Sequence, residues 1–463
     1  MNVALRPYQL DLVTGLRTAM AAGHRRVLGV LPTGGGKGRI LAHIPASAAL
    51  KGSNVLIMAH RSTLVDQISA NLNDEGVPHG RIEPGYPTVA MPVMIGMVQT
   101  IARRLKTITP PDLVIVDEAH HIVSNSYRAI INTWPLTRVI GVTATPLRSD
   151  GQGLCEDFTA MVCGSSVAEL IQAGFLASYD YYLPSDALDL DGVPQTAGDY
   201  RPSTALQIVT NSPIVGDAVA SYREHLSGRP AIAFCVGISH AHNVAARFRQ
   251  AGLRAAAVDG TMPKDEVRAV LAQLANGSLD VLMAADLVSE GVDIPAVAGA
   301  ILLRPTMSLA LHLQQCGRAL RPKPDGSRAV ILDHVGNATR HGFPADPRPW
   351  TLGTVRIKVP APELRTCPIC FIACHREDAK PCGESPCGFE TQVRRRDTRV
   401  EPGTLKLVDE LWDWTNGIDV LTATGRDYAM LMQKAYHNEA RLTQIQQTRG
   451  YKRGWIWYQM QKL

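Results

Sequence analysis

The chain predicts an α/β fold built as two tandem parallel-sheet domains, on three observations. Short apolar runs alternate with amphipathic helical stretches in the first half, and the alternation resumes after residue 213, as in a doubly wound sheet. Residues 31–38 read LPTGGGKG, a glycine-rich turn that follows an apolar run and ends in Lys37. Residues 113–121 read LVIVDEAHH, an apolar run that delivers adjacent carboxylates, Asp117 and Glu118, at its carboxyl end. A glycine-rich turn lets backbone N–H groups surround phosphates, and acidic residues at the edge of a buried strand suit a magnesium ion. Together, in this order and about 80 residues apart, they are far more specific than either alone.

Taken in order, the first set of strands is expected at 26–31, 55–59, 93–97, 113–116 and 139–143, inside a domain spanning 1–180. Residues 181–213 are rich in Pro, Gly, Asp and Ser and read as a connector. A second domain at 214–348 carries strands at 231–235, 255–258, 281–284, 298–303 and 329–332. It has no glycine-rich loop of its own, so a nucleotide is expected between the two sheets. Prolines become dense from 343 to 362, marking a domain exit. A cysteine-rich patch at 363–392 and a helical tail at 404–463, aromatic and basic, complete the chain.

The bulk numbers agree. A length of 463 residues suits about three domains. With 45% hydrophobic and 19% charged residues the composition is that of an ordinary globular protein. No apolar stretch approaches the roughly 20 residues that span a bilayer, and the start, MNVALRPYQLDL, lacks the features of a secretory signal, so a cytoplasmic location is expected. The formal charge of +5 is mild, but basic residues cluster at Arg394, Arg395 and Arg396 and at Lys452 and Arg453. Of nine cysteines, Cys367, Cys370, Cys374, Cys382 and Cys387 lie together, which in a reducing compartment favours metal over disulfides.

Further segments stand out in order along the chain: LRPYQ (5–9), MAHRSTLVDQ (58–67), MVQTIARR (97–104), TAT (143–145), AFCVGISHA (233–241), DLVSEGVDIP (286–295), HLQQCGRALRP (312–322) and ILDHVGNATRHGFP (331–344). With the two opening motifs this set resembles the superfamily 2 helicases of the DEAD/DEAH-box type found in phage and bacterial genomes. The resemblance covers roughly the first 345 residues. It implies two RecA-like lobes that share one ATP.

By that resemblance Arg6 and Gln9 sit on the adenine, and Thr33, Gly34, Gly35, Gly36, Lys37 and Gly38 form the phosphate loop, with Lys37 on the β and γ phosphates. Asp117 holds magnesium through water, and Glu118 polarises the attacking water. His60, Arg61, Gln99 and Thr100, and in the second lobe Ser239 and His240, meet the nucleic-acid backbone. Thr143, Ala144 and Thr145 link hydrolysis to lobe movement, and Gly291 and Asp293 approach the nucleotide. Gln314, Arg318 and Arg321 close over the γ-phosphate; their i, i+4, i+7 spacing lets one helical face carry all three. Asp333 and His334 are read as structural hydrogen-bonders.

One position departs from the family. Ser or Thr normally follows the loop lysine and supplies a hydroxyl to magnesium, whereas Gly38 has no side chain, which predicts slow hydrolysis.

In the cysteine patch, Cys367 and Cys370 form a CxxC knuckle that Cys382 and Cys387 complete as a tetrahedral zinc site, with Cys374 or His375 able to replace Cys382. The tail interleaves Tyr451, Trp455, Trp457 and Tyr458 with Arg449, Lys452, Arg453 and Lys462, which suits base stacking or docking on the protein itself. The expected function is an ATP-dependent helicase or translocase using ATP, Mg2+ and Zn2+, acting on DNA rather than RNA, alongside replication, recombination or repair proteins. The rival readings are a nucleotide-gated nucleic-acid adaptor with weak or no ATPase, supported by Gly38, and an RNA helicase.

Overall fold

The computed structural model describes residues 4–85, 89–147, 153–184, 190, 192–196, 198–211, 218–285, 297–353, 364–366, 372–375 and 445. The chain divides into two compact units, Met1–Thr391 and Gln392–Leu463, and only Ile445 is described in the second.

The first sheet holds β1 (Arg26–Val30), β2 (Val55–Ala59), β3 (Gly80–Ile82), β4 (Val93–Met97), β5 (Leu113–Asp117), β6 (Arg138–Thr143) and β7 (Ala160–Cys163). Their order is β3-β4-β2-β5-β6-β1-β7, and every pairing is parallel. Helices cover both faces of such a sheet, so its central strands must be apolar throughout rather than alternating. VLIMA of β2 and LVIVD of β5 are buried at every position. Adjacent β5, β6 and β1 bring three turns to one edge: the acidic pair, the TAT segment and the glycine-rich loop. That carboxyl-end edge is where open α/β sheets bind ligands.

The second sheet begins with β8 (Tyr179–Tyr182). A small hairpin, β9 (Gln195–Thr196) and β10 (Asp199–Tyr200), follows. The sheet continues with β11 (Ala231–Cys235), β12 (Ala255–Val258), β13 (Val281–Ala285), β14 (Gly299–Leu302) and β15 (Ala329–Asp333), in the order β12-β13-β11-β14-β15-β8, all parallel.

The connector expected at 181–213 is therefore corrected. Its start is the edge strand β8, anchored by the Tyr181 hydroxyl donating to the buried Asp333 carboxylate at 2.8 Å. Its middle is the hairpin, held to the second lobe by Asp199, which accepts from the Met307 N–H at 2.7 Å and the Thr306 hydroxyl at 3.0 Å. Its end is the helix Pro202–Asn211. Proline and glycine there punctuate short elements. Asp333 also accepts from the Val335 and Ala338 N–H groups, in keeping with the structural role expected of it.

Past the second sheet, Trp350 and Leu352 pack against the apolar core between the first sheet and the helix Asn125–Thr133. A short antiparallel pair, Leu364–Thr366 with Ala373–His375, brackets residues 367–372. No helix among the described residues is long and apolar enough to cross a membrane.

Candidate nucleotide site and nucleic-acid motifs

The glycine-rich loop leaves β1 and enters the helix Lys37–Ala49 through Gly36, which has φ 82°. A side chain there meets two obstacles: the left-handed backbone, and Gln9 Nε2 at 2.4 Å from an ideal Cβ. Gln9 is itself committed to the loop. Its amide donates to the carbonyls of Gly35 (3.1 Å) and Gly36 (3.3 Å), and its Oε1 accepts from the Arg6 N–H at 3.0 Å. Tyr8 adds a hydroxyl on the Gly35 carbonyl at 2.9 Å. The Gln9 amide thus ties the chain ahead of the first helix to the loop backbone. Arg6 lies over the Phe175 ring, 5.0 Å from its centroid.

Across the sheet edge, Lys37 Nζ meets Glu118 Oε1 at 2.7 Å, both side chains being mostly buried. Glu118 is the only non-glycine with positive φ among the described residues, at φ 47°. Its N–H donates to Asp117 Oδ1 at 2.9 Å, which helps hold the turn. Asp117 ends β5 almost fully buried, so its carboxylate has the desolvated setting that a hydrated divalent cation offsets. Lys37, Asp117 and Glu118 thus fit a magnesium-nucleotide by donor chemistry: a cation for phosphate, one carboxylate for metal and one beside it for water.

The TAT segment is wired to this turn. The Thr143 hydroxyl donates to the Thr145 carbonyl at 2.9 Å and accepts from the Thr145 N–H at 3.2 Å. His120 Nδ1 lies 3.2 Å from the same hydroxyl and 3.6 Å from Glu118 Oε2. The Thr143 hydroxyl thus lies between the His120 ring and the Thr145 backbone. Thr143, Ala144 and Thr145 are all buried.

The second lobe reaches the loop through the helix Leu309–Ala319. A Cβ on Gly317 would stand 2.6 Å from Thr33 Cβ, so only glycine lets this helix touch the phosphate loop. Arg318 is the next residue, and Gln314 is buried one turn earlier. The helix stops at Ala319 with Leu320 as its cap, so Arg321 lies beyond it, and the single helical face expected for Gln314, Arg318 and Arg321 holds only for the first two. A cavity of about 170 Å³ opens between the lobes, bounded by Thr33 and Ala144 on one side and Leu313, Gly317 and Arg348 on the other.

The strand-gripping residues divide. Gln99 is exposed at the start of the helix Val98–Arg104, whereas Thr100 is buried, because consecutive helical positions point to different faces. His60 and Arg61 are half-buried where β2 passes into the helix Ser62–Asp74. Ser239 is exposed in the first turn of the helix Ile238–Gln250. His240 is corrected: it is buried, its Nδ1 accepts from the Val236 N–H at 3.2 Å, and burial, aided by Arg247, pushes its pKa down to about 4. It closes its own strand–helix turn and does not face a phosphate.

Gly291 and Asp293 lie outside the described residues, as do Cys367, Cys370, Cys382, Cys387 and all of the tail except Ile445. No group of metal-ligating side chains forms among the described residues. His375 Nε2 pairs with Asp346 Oδ1 at 2.7 Å.

Sequence reasoning missed His120, His121 and Asn71. The two histidines stand in plain view in DEAHH, but no spacing rule says what they touch. Asn71 carries no motif; its Nδ2 lies 2.7 Å from where a Cβ on Gly38 would stand.

Two parallel-sheet lobes, one presenting a phosphate loop with paired carboxylates and the other an arginine-bearing helix against that loop, define a motor-type nucleoside triphosphatase. Known proteins narrow the class. Residues 2–148 match the family of the type III restriction enzyme res subunit, and residues 215–323 match the helicase conserved C-terminal domain. A 51.5 kDa protein of a Lactococcus phage is 34% identical over 69% of this chain and 68% of its own length. A Saccharomyces cerevisiae protein assigned by inference as the ATP-dependent helicase IRC3 is 28% identical over 72% of this chain and 51% of its own. Among solved structures, a fragment from Vibrio vulnificus YJ016 assigned as an HsdR subunit of a type I restriction enzyme superposes with a TM-score of 0.57 at 21% identity, covering 73% of this chain and 67% of that one. The chain belongs to the superfamily 2 helicases, with two tandem RecA-like lobes, and is an ATP-hydrolysing enzyme of the helicase or translocase class. ATP, Mg2+ and nucleic acid are the ligands of that class.

Proposed function

We propose that the chain couples ATP hydrolysis in the cleft between its lobes to movement along DNA. The observation that carries this reading is the contact of Gly317 with Thr33, which sets Arg318 beside the loop that holds Lys37. A nucleotide gripped by the first lobe is then sensed by the second. Lys37 binds the β and γ phosphates, Asp117 would hold the magnesium ion, and Arg318 meets charge developing on the transferred phosphoryl group. Magnesium, when bound, neutralises charge on the phosphate oxygens. Glu118 orients the attacking water and accepts its proton.

His60, Arg61, Gln99 and Ser239 are the backbone contacts this reading retains, lying at strand–helix junctions of the two lobes. DNA is favoured over RNA by the match of the first lobe to a restriction-enzyme subunit family. The setting is cytoplasmic, with replication, recombination or repair proteins as partners. Cys367, Cys370, Cys382 and Cys387 would hold one zinc ion. Support comes from the CxxC and CxxxxC spacing of the four thiols, which suits a tetrahedral metal. His375 is drawn to Asp346 instead.

The test is ATP turnover with and without single-stranded DNA, duplex DNA and RNA. Turnover is expected to rise with DNA, and Glu118→Gln should keep ATP binding while losing about two orders of magnitude in rate. Unchanged turnover in that variant removes Glu118 from catalysis. A wild-type rate that no nucleic acid raises favours the nucleotide-gated adaptor, and a rise with RNA alone reassigns the substrate.

A further inference from the structure

His121 has no part in the ATP chemistry above, yet it stands between the catalytic turn and the strand-gripping turn. Its ring centroid lies 4.2 Å from that of His120 and 4.4 Å from that of His60. His60 follows the end of β2 and precedes Arg61, the N-cap of the helix Ser62–Asp74. At the other end, His120 faces the Thr143 hydroxyl and lies 3.6 Å from Glu118 Oε2. Three rings in contact therefore span the distance from the nucleic-acid turn to the catalytic carboxylate.

We propose that His121 is a positioning residue that transmits occupancy of the His60–Arg61 turn to Glu118, and so sets how strongly nucleic acid stimulates hydrolysis. The inference rests on the nucleic-acid reading above. Two physical features support it. Packed rings cannot interpenetrate, so a shift of His60 toward a phosphate must be followed or opposed by His121. The receiving end is also sensitive: Glu118 is held at φ 47°, ψ 58°, and the short 3-10 turn Ala119–His121 that carries both rings starts directly after it. A non-glycine residue is strained in that region, so a small displacement of the turn can reorient the carboxylate. Side-chain volume, rather than charge, is the transmitting property.

The experiment compares His121→Ala, His121→Asn and His121→Phe in the full chain. It measures basal ATP turnover, turnover saturated with single-stranded oligo-dT, and oligo-dT affinity. His121→Ala and His121→Asn are expected to keep basal turnover and affinity within about threefold while the stimulation ratio falls by about tenfold; His121→Phe restores most of the ratio. A His121→Ala protein with the wild-type ratio overturns the proposal. Loss of basal and stimulated turnover in equal proportion also overturns it, since that marks a local structural role. If Ala fails to fold, a Phe variant no better than Asn overturns it as well. A wild-type enzyme that no nucleic acid stimulates defeats the underlying functional reading instead.

Discussion

Restoring a threonine at position 38 does not simply fill empty space. An ideal Cβ on Gly38 lies 2.7 Å from Asn71 Nδ2, whereas ordinary contact begins at 3.4 Å, so the Asn71 carboxamide must retreat by about 0.7 Å. Asn71 belongs to the neighbouring helix Ser62–Asp74 and is half-buried, so it yields by leaving its preferred rotamer. That costs about 0.5–1.5 kcal/mol, offset by a few tenths from replacing a helical glycine. Gly38→Thr should therefore lower the apparent melting temperature by roughly 1–3 °C. The new hydroxyl, meanwhile, offers magnesium a protein ligand in place of a water, so turnover should rise and the magnesium requirement fall. Adding Asn71→Ala removes the clash: the double variant should melt closer to wild type than Gly38→Thr alone and hydrolyse at least as fast. The assays are thermal melts and ATP turnover across a magnesium titration. A single variant that melts at or above wild type, with nothing changed by Asn71→Ala, refutes the steric account. Turnover that rises in neither variant at any magnesium level refutes the missing-ligand account.

Two further outcomes are expected. Cys367→Ser with Cys370→Ser should remove zinc and weaken DNA affinity at fixed salt while ATP binding stays near wild type; elemental analysis showing no metal in the reduced wild-type protein would sink the site. Stability should also decline in acid because of two histidines desolvated on folding. Burial pushes His240 and His341 down to about 4, against 6.5 when exposed. Both stay neutral in the folded protein where the unfolded chain takes up protons, so their effect is absent above about pH 6.5 and grows as pH falls toward 4. Each should cost about 1 kcal/mol between pH 7.5 and 5.5, and His240→Asn should flatten a melting-temperature profile over that range; equal slopes in both proteins would refute this.

The strands of the two sheets were legible because a parallel strand buried on both faces must be apolar along its length. The expected 55–59, 93–97, 231–235 and 255–258 are β2, β4, β11 and β12. Three edge strands, β3, β7 and β8, were not legible, although β12 at the edge of the second sheet was. GRI of β3 is three residues long, and YDYY of β8 carries a charge and looks like the start of a linker, because an edge needs cover on fewer sides. Its place depends on a partner, β15, that is distant in the chain. The loop, Lys37, Asp117 and Glu118 were legible for a local reason: their chemistry depends on residue type at fixed spacing along one strand–turn unit.

Contacts between such units were another matter. The sequence alone determined the α/β class, the tandem lobes and the ordered motif set, since these follow from periodicity and short-range spacing. Only the tertiary structure decided that Gln9 shapes the loop, that His240 is buried, that Arg321 lies past its helix, and that Asn71 fills the space beside Gly38. It also decided that His60, His120 and His121 meet. Which side chain occupies a given volume depends on helices and strands packed from far along the chain, and no local pattern encodes that.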